Sequence, residues 1–307
     1  MEADSQDSGR QVNFRSGYVA IIGAPNVGKS TLLNELLGEK VAITTPKPQT
    51  TRRQVRGILT GNNFQVVFVD TPGIHSSQGL LNKMLVRWAT QALDDVDAAL
   101  FVVDVTRRRR SREFAILELL KRVRLPVILV LNKIDRVAKE TLLPIIDEFR
   151  DMYHFEAVVP VSARYGKGVN LVLDEVLRLL AEGPRFYDGA IITDQTTEEI
   201  VTELIREKIF LLAEQEIPYS TAVVCDHIRS DPEKNRVDVF AVIFVERASQ
   251  KGIIIGKGGR FIKKIRQLVE KELKHLWGRR VRLTLWVKVL KNWSKDEKAI
   301  SRLGLTT

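Results

Sequence analysis

Residues 23–31, GAPNVGKST, decide the fold of the first half of this 307-residue chain. They fit the pattern G-x-x-x-x-G-K-[ST] between a continuously apolar run, YVAIIG, and an amphipathic run, KSTLLNELLG. A glycine loop that joins a buried strand to a helix points its backbone N–H groups at phosphates. The Lys29 ammonium then reaches the β- and γ-oxygens, and the Ser30 hydroxyl faces Mg²⁺. The contacts are expected from Gly23, Ala24, Pro25, Asn26, Val27, Gly28, Lys29, Ser30 and Thr31.

The segment VDTPG, residues 69–73, ends a second apolar run and supplies predicted contacts to Mg²⁺ and the γ-phosphate. Asp70 can hold Mg²⁺ through water, and the N–H of Gly73 can contact a γ-phosphate. Thr71 and Pro72 belong to the same loop.

Two further segments, LNKID and VSA, indicate which base is bound. The carboxylate of Asp135 can accept from N1–H and N2–H₂ of guanine, whereas adenine lacks that donor pair and would leave the carboxylate unpaired. Asn132 and Lys133 buttress and cover the base, and backbone N–H groups at Ser162 and Ala163 face guanine O6. All four segments end strands, where open α/β sheets bind ligands. The sequence therefore predicts a guanine-nucleotide site.

The order of apolar and amphipathic runs predicts an α/β fold with a mostly parallel sheet and helices on both faces, followed by a smaller α+β domain. Five buried strands alternate with five helices up to Gly183-Pro184. The second half reads α-β-β-α-α-β, and Ser294 with Glu297 forms a capping box for a short last helix. The expected ranges are a tail at 1–16, a nucleotide domain at 17–183, a linker at 184–195, a second domain at 196–291 and a terminal helix or tail at 292–307.

The positive charge is concentrated in one block. The net charge is +10, yet residues 251–291 alone hold thirteen Lys and Arg against Glu270 and Glu272, so the rest of the chain is about neutral. Such a block indicates a polyanionic partner.

Three features of the sequence bear on the location of the protein. No apolar run approaches the length of a membrane span, and the first residues lack a secretory signal. The single cysteine, Cys225, is predicted to be a packed strand residue, which fits a reducing compartment. A cytoplasmic location is therefore expected.

The block contains a second glycine loop, Gly256-Lys257-Gly258-Gly259, which lacks the spacing of the first and is entered from a short helix. It fits the GxxG loop of a KH domain, which clamps the backbone of about four nucleotides of single-stranded RNA. The order α-β-β-α-α-β is that of the prokaryotic-type KH fold. RNA contacts are expected from Gly256, Lys257, Gly258, Gly259, Arg260, Lys263 and Lys264.

With PKPQTTRRQVRGI between the phosphate loop and DTPG, the chain resembles the Era family over nearly its whole length. The resemblance implies a monomeric GTPase domain joined to a KH domain, and binding to the 3′ region of small-subunit ribosomal RNA during subunit maturation. It implies that Thr51 completes the Mg²⁺ shell, so that the expected catalytic set is Lys29, Thr51, Asp70 and Gly73. It also implies a peripheral location at the inner membrane for some members.

The resemblance leaves the hydrolytic step and the role of Asn26 open. Ile74 stands where many signalling GTPases carry a water-orienting glutamine, so we expect slow hydrolysis. Related GTPases with this substitution use K⁺, and Asn26 matches their potassium ligand; the alternative is that Asn26 only stabilises its turn. His75 is expected to be a solvated residue rather than a base.

Two further alternatives concern the partners of the chain. The Arg107–Arg110 cluster is expected to be a plain exposed loop rather than a ribosome contact. The rival function is a membrane-associated signalling GTPase in which the KH fold serves as a docking module.

Overall fold

The computed structural model describes residues 13–74, 80–107 and 110–305, and it contains two sheets with separate apolar cores. The strands of the first sheet are β1 (Arg15–Gly23), β2 (Val55–Thr60), β3 (Phe64–Asp70), β4 (Ala98–Asp104), β5 (Val127–Asn132) and β6 (Ala157–Val161). The helices that accompany them are α1 (Lys29–Leu37), α2 (Leu80–Gln91), α3 (Ser111–Leu120), α4 (Leu142–Arg150) and α5 (Val169–Leu179).

The first sheet has the order β2-β3-β1-β4-β5-β6, and every pair is parallel except β2 with β3. Strands β3, β4 and β5 are almost wholly buried, as expected for strands covered on both faces. The predicted alternation of strands and helices is therefore confirmed. The sequence reading missed β2, an edge strand that carries an exposed Arg56 and a glycine.

The segment after α5 covers the edge that β2 would otherwise expose. The amide of Ile58 donates to the Ile192 carbonyl at 2.8 Å, and Gly57 pairs with Thr193 in an isolated bridge. Arg56 forms an ion pair with Asp194 at 2.8 Å. The predicted linker thus lies along strand β2, and it forms hydrogen bonds with backbone groups that an edge strand would otherwise leave unpaired.

The second sheet has three strands in the order β7-β8-β9, with β7 antiparallel and β9 parallel to β8. Its elements, in chain order, are α6 (Thr197–Leu212), α7 (Ile217–Ser220), β7 (Thr221–Asp231), β8 (Arg236–Val245), α8 (Ala248–Ile255), α9 (Arg260–Trp277) and β9 (Arg280–Val289), followed by α10 (Glu297–Arg302). Apart from the short α7, this is the predicted α-β-β-α-α-β order. Helices α6, α8 and α9 pack on one face of the sheet.

A third apolar cluster joins the two domains on the opposite face of the second sheet. Trp293 is completely buried, and its indole N–H donates to the Ser220 carbonyl at 3.0 Å. Around it pack Trp88 and Leu85 of α2 together with Ile300 of α10. The end of the described chain therefore contacts the first domain.

Two local predictions were wrong. Strand β1 begins at Arg15, so the expected tail extends too far; residues 1–12 lie outside the described part of the chain. The last helix is capped by Asp296, whose carboxylate accepts from the N–H groups of Lys298 and Ala299. The Ser294 hydroxyl instead bonds Glu246, because a turn at Trp293–Lys295 separates it from the helix.

Cys225 is buried, and burial raises the pKa of its thiol to about 12, as expected for a packed strand residue. Across residues 13–74, 80–107 and 110–305, no helix combines the length and apolar character needed to cross a membrane.

Candidate functional site

The phosphate loop lies at the predicted place, between the end of β1 and the start of α1. The Lys29 ammonium donates to the carbonyls of Gly23 and Ala24, both at 3.2 Å, and burial lowers its pKa to about 8. Gly28 has a left-handed φ of 103°, and a Cβ there would lie 2.2 Å from the amide nitrogen of Asn132. Glycine is therefore required where the loop passes the side chain of Asn132.

Three oxygen-bearing side chains converge below this loop, as predicted for a magnesium site. The Ser30 hydroxyl donates to Asp70 Oδ2 at 2.6 Å, and Thr51 Oγ1 lies 3.0 Å from Ser30 Oγ and 3.4 Å from the same carboxylate oxygen. Asp70 is fully buried, burial raises its pKa, and its Oδ1 atom has no hydrogen-bond partner among the described residues. An unsatisfied buried carboxylate beside two hydroxyls fits Mg²⁺, which prefers hard oxygen ligands.

The DTPG segment passes close to the phosphate loop and leaves no room for larger side chains. A Cβ on Gly73 would lie 2.8 Å from the Cα of Pro25. The next residue, Ile74, is 7% exposed, packs in the first core and donates its N–H to the Gly23 carbonyl at 3.2 Å. Its side chain therefore does not face the phosphate pocket. His75 lies outside the described residues.

The residues predicted to bind the base form one hydrogen-bonded group at the ends of β5 and β6. Asn132 Nδ2 donates to the Val27 carbonyl at 2.8 Å, and its Oδ1 accepts from the N–H of Ala163 at 3.0 Å. The Ser162 hydroxyl donates to Asp135 Oδ1 at 2.6 Å and so orients that carboxylate. The N–H of Ala163, expected to face guanine, is engaged by Asn132 in this structure.

Lys133 is anchored by an acid that the sequence reading did not assign. Its ammonium donates to Asp104 Oδ2 at 2.6 Å and to the Asn26 carbonyl at 2.7 Å. Although burial opposes it, hydrogen bonds from Lys133 and Thr106 hold the pKa of Asp104 below its usual range. The position of Asp104 at the end of an apolar strand is the signal that could have identified it.

The prediction of a plain exposed loop at the Arg107–Arg110 cluster was wrong for both residues that the structure describes. Arg107 donates to the Pro25 carbonyl of the phosphate loop and forms ion pairs with Asp104 and Glu113. Arg110 pairs with Glu148, and its guanidinium lies 5.7 Å from the centroid of the Phe149 ring. The two arginines between them lie outside the described part.

Arg52, next to the predicted magnesium ligand Thr51, connects the nucleotide site to the KH domain. Its guanidinium is 1% exposed and donates to the carbonyls of Thr221 at 2.7 Å, Tyr219 at 2.8 Å and Pro218 at 3.1 Å. It also lies over the rings of Phe210 and Trp293, at 5.7 and 5.8 Å from their centroids. Sequence reasoning missed this contact, because a buried arginine leaves no periodic signal.

The switch segment, which we define as residues 40–53, packs against helix α6 at further points. Lys47 donates to the carbonyls of Phe210 and Ala213 at the C-terminal end of the helix, where a cation is favoured. Arg206 is held by Glu203 at 2.6 Å and donates to the Thr50 carbonyl at 2.8 Å. Residues Val201–Phe210 of the helix are all buried, because its apolar side chains pack in the KH core while Arg206 and Glu207 contact the switch segment.

The switch segment also forms an ionic group with the KH domain. Lys40 lies 2.8 Å from Glu207 and 2.6 Å from Glu272, and Lys208 contacts the same two carboxylates. The N–H of Thr44 donates to Glu207 at 3.3 Å. The segment that contains Thr51 is thus attached to the KH domain at several points.

The second glycine loop is exposed and lies between α8 and α9. Gly256, Gly258 and Gly259 have φ values of 73°, 60° and 73°, a conformation that L side chains rarely adopt. A Cβ on Gly258 or Gly259 would meet no atom within 4 Å, so the loop backbone is open to a ligand. Lys257, Arg260, Lys263 and Lys264 are exposed around it.

Comparisons with known proteins agree with both halves. The family model of the 50S ribosome-binding GTPases matches residues 18–133, and the KH domain model matches residues 216–294. The protein GTPase Era of Syntrophus aciditrophicus is 45% identical over 296 residues, which cover 96% of this chain and 97% of that protein.

Two solved structures have the same two-domain arrangement. A variant of Aquifex aeolicus Era bound to GDP·AlF4⁻ has a TM-score of 0.92 at 38% identity, covering 96% of this chain and 100% of that one. Era in complex with MgGDPNP and nucleotides 1506–1542 of 16S ribosomal RNA has a TM-score of 0.93 at 38% identity and the same coverage. The similarity extends over the nucleotide site, the switch segment and the KH domain alike, and the chain therefore belongs to the Era family of GTPases.

Proposed function

We propose that this GTPase binds the 3′ region of small-subunit ribosomal RNA through its GxxG loop and assists maturation of the small ribosomal subunit. The observation that carries this proposal is the exposed glycine loop within the basic block. An Era protein of the same two-domain structure was solved with nucleotides 1506–1542 of 16S ribosomal RNA, which supports the same RNA here. The KH loop, and not the phosphate loop, presents exposed cations beside open backbone, as an RNA clamp requires.

The nucleotide site would work by positioning and charge neutralisation. When the nucleotide binds, the Lys29 ammonium would exchange its hydrogen bonds to the carbonyls of Gly23 and Ala24 for contacts with the phosphates. Asp135, oriented by Ser162, would select guanine. Mg²⁺, held by Ser30, Thr51 and Asp70, would neutralise charge on the phosphate oxygens when bound. Because Ile74 lies in the core, no side chain at that position orients the attacking water, so intrinsic hydrolysis is slow.

Potassium is a second cation of the proposed site. Asn26 has a left-handed φ of 63°, and its Nδ2 donates to the Pro46 carbonyl of the switch segment at 2.8 Å. The amide oxygen of the same side chain is the atom that K⁺ would use. The hydrogen bond to Pro46 also supports the alternative, a role in holding the turn, and the two are separated by a test with different salts.

The switch segment couples the two sites in this proposal. Thr51 would contact Mg²⁺ and GTP, and its neighbour Arg52 donates to the carbonyls of residues 218, 219 and 221. A change at the γ-phosphate is therefore transmitted to the KH domain through two adjacent residues. Such coupling is reciprocal: RNA must change GTP affinity by the same factor by which GTP changes RNA affinity.

The experiment replaces Lys257 and Gly258 with aspartate and measures binding of a labelled oligonucleotide with the sequence of the 16S ribosomal RNA 3′ end. Two carboxylates beside the RNA backbone should weaken binding at least a hundredfold, while GTP affinity stays within about twofold. Arg122→Asp with Arg124→Asp is the matched control, because both arginines are exposed in the nucleotide domain. Normal RNA binding by the Lys257/Gly258 variant would refute the clamp.

A further inference from the structure

The basic block is divided between two opposite faces of the KH domain. Eight of its thirteen cations belong to residues 251–274, which include the GxxG loop and α9. The other five belong to residues 279–291, on or beside strand β9. Cations that point away from the helical face of the sheet cannot serve the clamp. A clamp on α8 and α9 therefore leaves part of the positive charge without a function.

Strand β9 alternates cleanly between the two faces. Leu283 and Val287 are buried in the core beneath the helices. Arg280, Arg282 and Lys288 are exposed on the other face, because successive side chains of a strand point to opposite sides. In the described part of the chain, no carboxylate lies within 4.0 Å of these three cationic groups. The strand thus presents an unpaired basic row on the face opposite to the GxxG loop.

Three aromatic rings cross the sheet on this same face. His227 of β7 stacks on Phe240 of β8 at 4.3 Å between centroids, and Phe240 stacks on Trp286 of β9 at 5.9 Å, with 17° between the planes in each pair. Phe240 and Trp286 belong to none of the apolar clusters, and Trp286 is 43% exposed. The ring row therefore contributes no core packing that would explain it.

The covered and uncovered parts of this face are distinct. The end that carries Ala222 and Phe244 is covered by Trp293, α10 and α2. The ring row, Arg280 and Arg282 lie beyond that cover, whereas Lys288 is exposed at its margin, beside Phe244. Since β9 is the edge strand, one face of the Trp286 ring is not stacked on Phe240 and is directed away from the row.

We propose that this face is a second RNA-binding surface, on which a base of a single-stranded segment stacks on Trp286 while its phosphates contact Arg280, Arg282 and Lys288. The combination of an exposed ring with unpaired cations on the same face of the same strand fits a nucleic acid, because every base has a stacking face and every linkage carries a charge. A protein partner with an acidic surface would use the cations but would not require the stacked ring. This inference rests on the proposed function for its ligand class, but it concerns a different face of the domain.

The test uses the full chain in which the clamp has been disabled by Lys257→Asp and Gly258→Asp. A fluorescein-labelled uridylate dodecamer is the probe, and its anisotropy is followed at low salt with GTP analogue and Mg²⁺ present. Residual binding should weaken about tenfold with Trp286→Ala, as expected for one stacked base, and stay within about threefold with Trp286→Phe. Trp286 is on the surface of the KH domain, and the circular dichroism spectrum and thermal unfolding transition of each variant serve as the folding control.

Charge is tested separately by Arg280→Gln with Arg282→Gln. The slope of log affinity against log salt should fall by about 1.4 in magnitude, since each phosphate contact on a single strand contributes about 0.7. Arg122→Gln with Arg124→Gln has the same spacing on an exposed part of the nucleotide domain and should leave the slope unchanged.

Three outcomes would overturn the second surface: no binding of the dodecamer by the clamp-disabled chain, equal binding by Trp286→Ala and its parent, or an unchanged salt slope. None of them bears on the clamp, which is refuted only if Lys257→Asp with Gly258→Asp leaves RNA binding intact.

Discussion

Replacing Arg52 with methionine should uncouple the KH domain from the nucleotide. Methionine fills the space between Phe210 and Trp293 but donates no hydrogen bond, so the carbonyls of residues 218, 219 and 221 lose their donor. Each charged hydrogen bond contributes about 1.5–3 kcal/mol, and part of the loss is returned because a buried charge is removed. Burial already lowers the pKa of Arg52 to about 9, which shows that the charge is held there at a cost.

The expected net loss of domain docking is about 2–4 kcal/mol, or about 30- to 700-fold in the docking equilibrium. The assay measures RNA affinity twice, with GDP and with a GTP analogue, and takes the ratio of the two dissociation constants. In the parent this ratio measures the coupling, and in Arg52→Met it should approach one. The matched control is Arg56→Met, because Arg56 lies four residues further on, in β2, its side chain is 46% exposed, and its ion pair among the described residues is with Asp194.

The reciprocal measurement makes the prediction stricter. The factor by which RNA changes affinity for the GTP analogue, relative to its effect on GDP affinity, must equal the first ratio in every variant. An Arg52→Met protein that keeps the ratio of the parent would show that coupling does not pass through these three carbonyls. A parent whose ratio is already one would refute the coupling itself.

Three further predictions concern the nucleotide site. Asp135→Asn should weaken GTP binding by two to four orders of magnitude, because two charged hydrogen bonds to guanine are lost, and it should favour xanthosine triphosphate. Equal GTP affinity of the variant and its parent in fluorescence titrations would contradict the placement of Asp135. Burial lowers the pKa of Lys29 to about 8 in the free protein, and bound phosphates should raise it again. Nucleotide binding therefore takes up a proton, and GTP affinity should fall about fivefold from pH 8 to pH 9. Lys29→Arg should bind more weakly but lose this pH dependence, whereas a dependence that persists must come from another group. If Asn26 ligates potassium, hydrolysis should be faster in KCl than in NaCl at equal ionic strength, and Asn26→Ala should abolish the difference; equal rates in the parent would exclude K⁺.

The parts of the site that the sequence could predict are those encoded within a few neighbouring residues. Ser30 and Asp70 lie 2.6 Å apart because each belongs to a motif fixed to a strand end, and the parallel sheet brings strand ends together. The same holds for Asp135 and Ser162. Contact of these residues with a nucleotide stays a prediction, whereas their convergence at one edge of the sheet is a property of the structure.

What the sequence could not show depends on contacts between distant segments. Arg52 bonds carbonyls more than 160 residues away, and backbone carbonyls have no sequence signature. Its neighbours in TTRRQ read equally well as an exposed basic turn. Helix α6 was recognised, but its sequence does not show what its polar side chains contact, and only the nucleotide domain against it explains why Arg206 is buried. Strand β2 was missed because its regularity comes from pairing with β3 and not from its own alternation.

The apolar cluster around Trp293 has a consequence for the order in which the protein is made. Residues 13–183 supply every strand of the first sheet, so this domain can fold while the rest of the chain is still being translated, as N-terminal domains generally do. Docking cannot follow until Trp293 and Leu303 have left the ribosomal exit tunnel to meet Trp88, some 200 residues earlier in the sequence. Between the exit of residue 183 and the exit of Trp293 the nascent chain therefore carries a nucleotide domain whose α2 face is still bare, and that face closes only after the strands of the KH domain have been made.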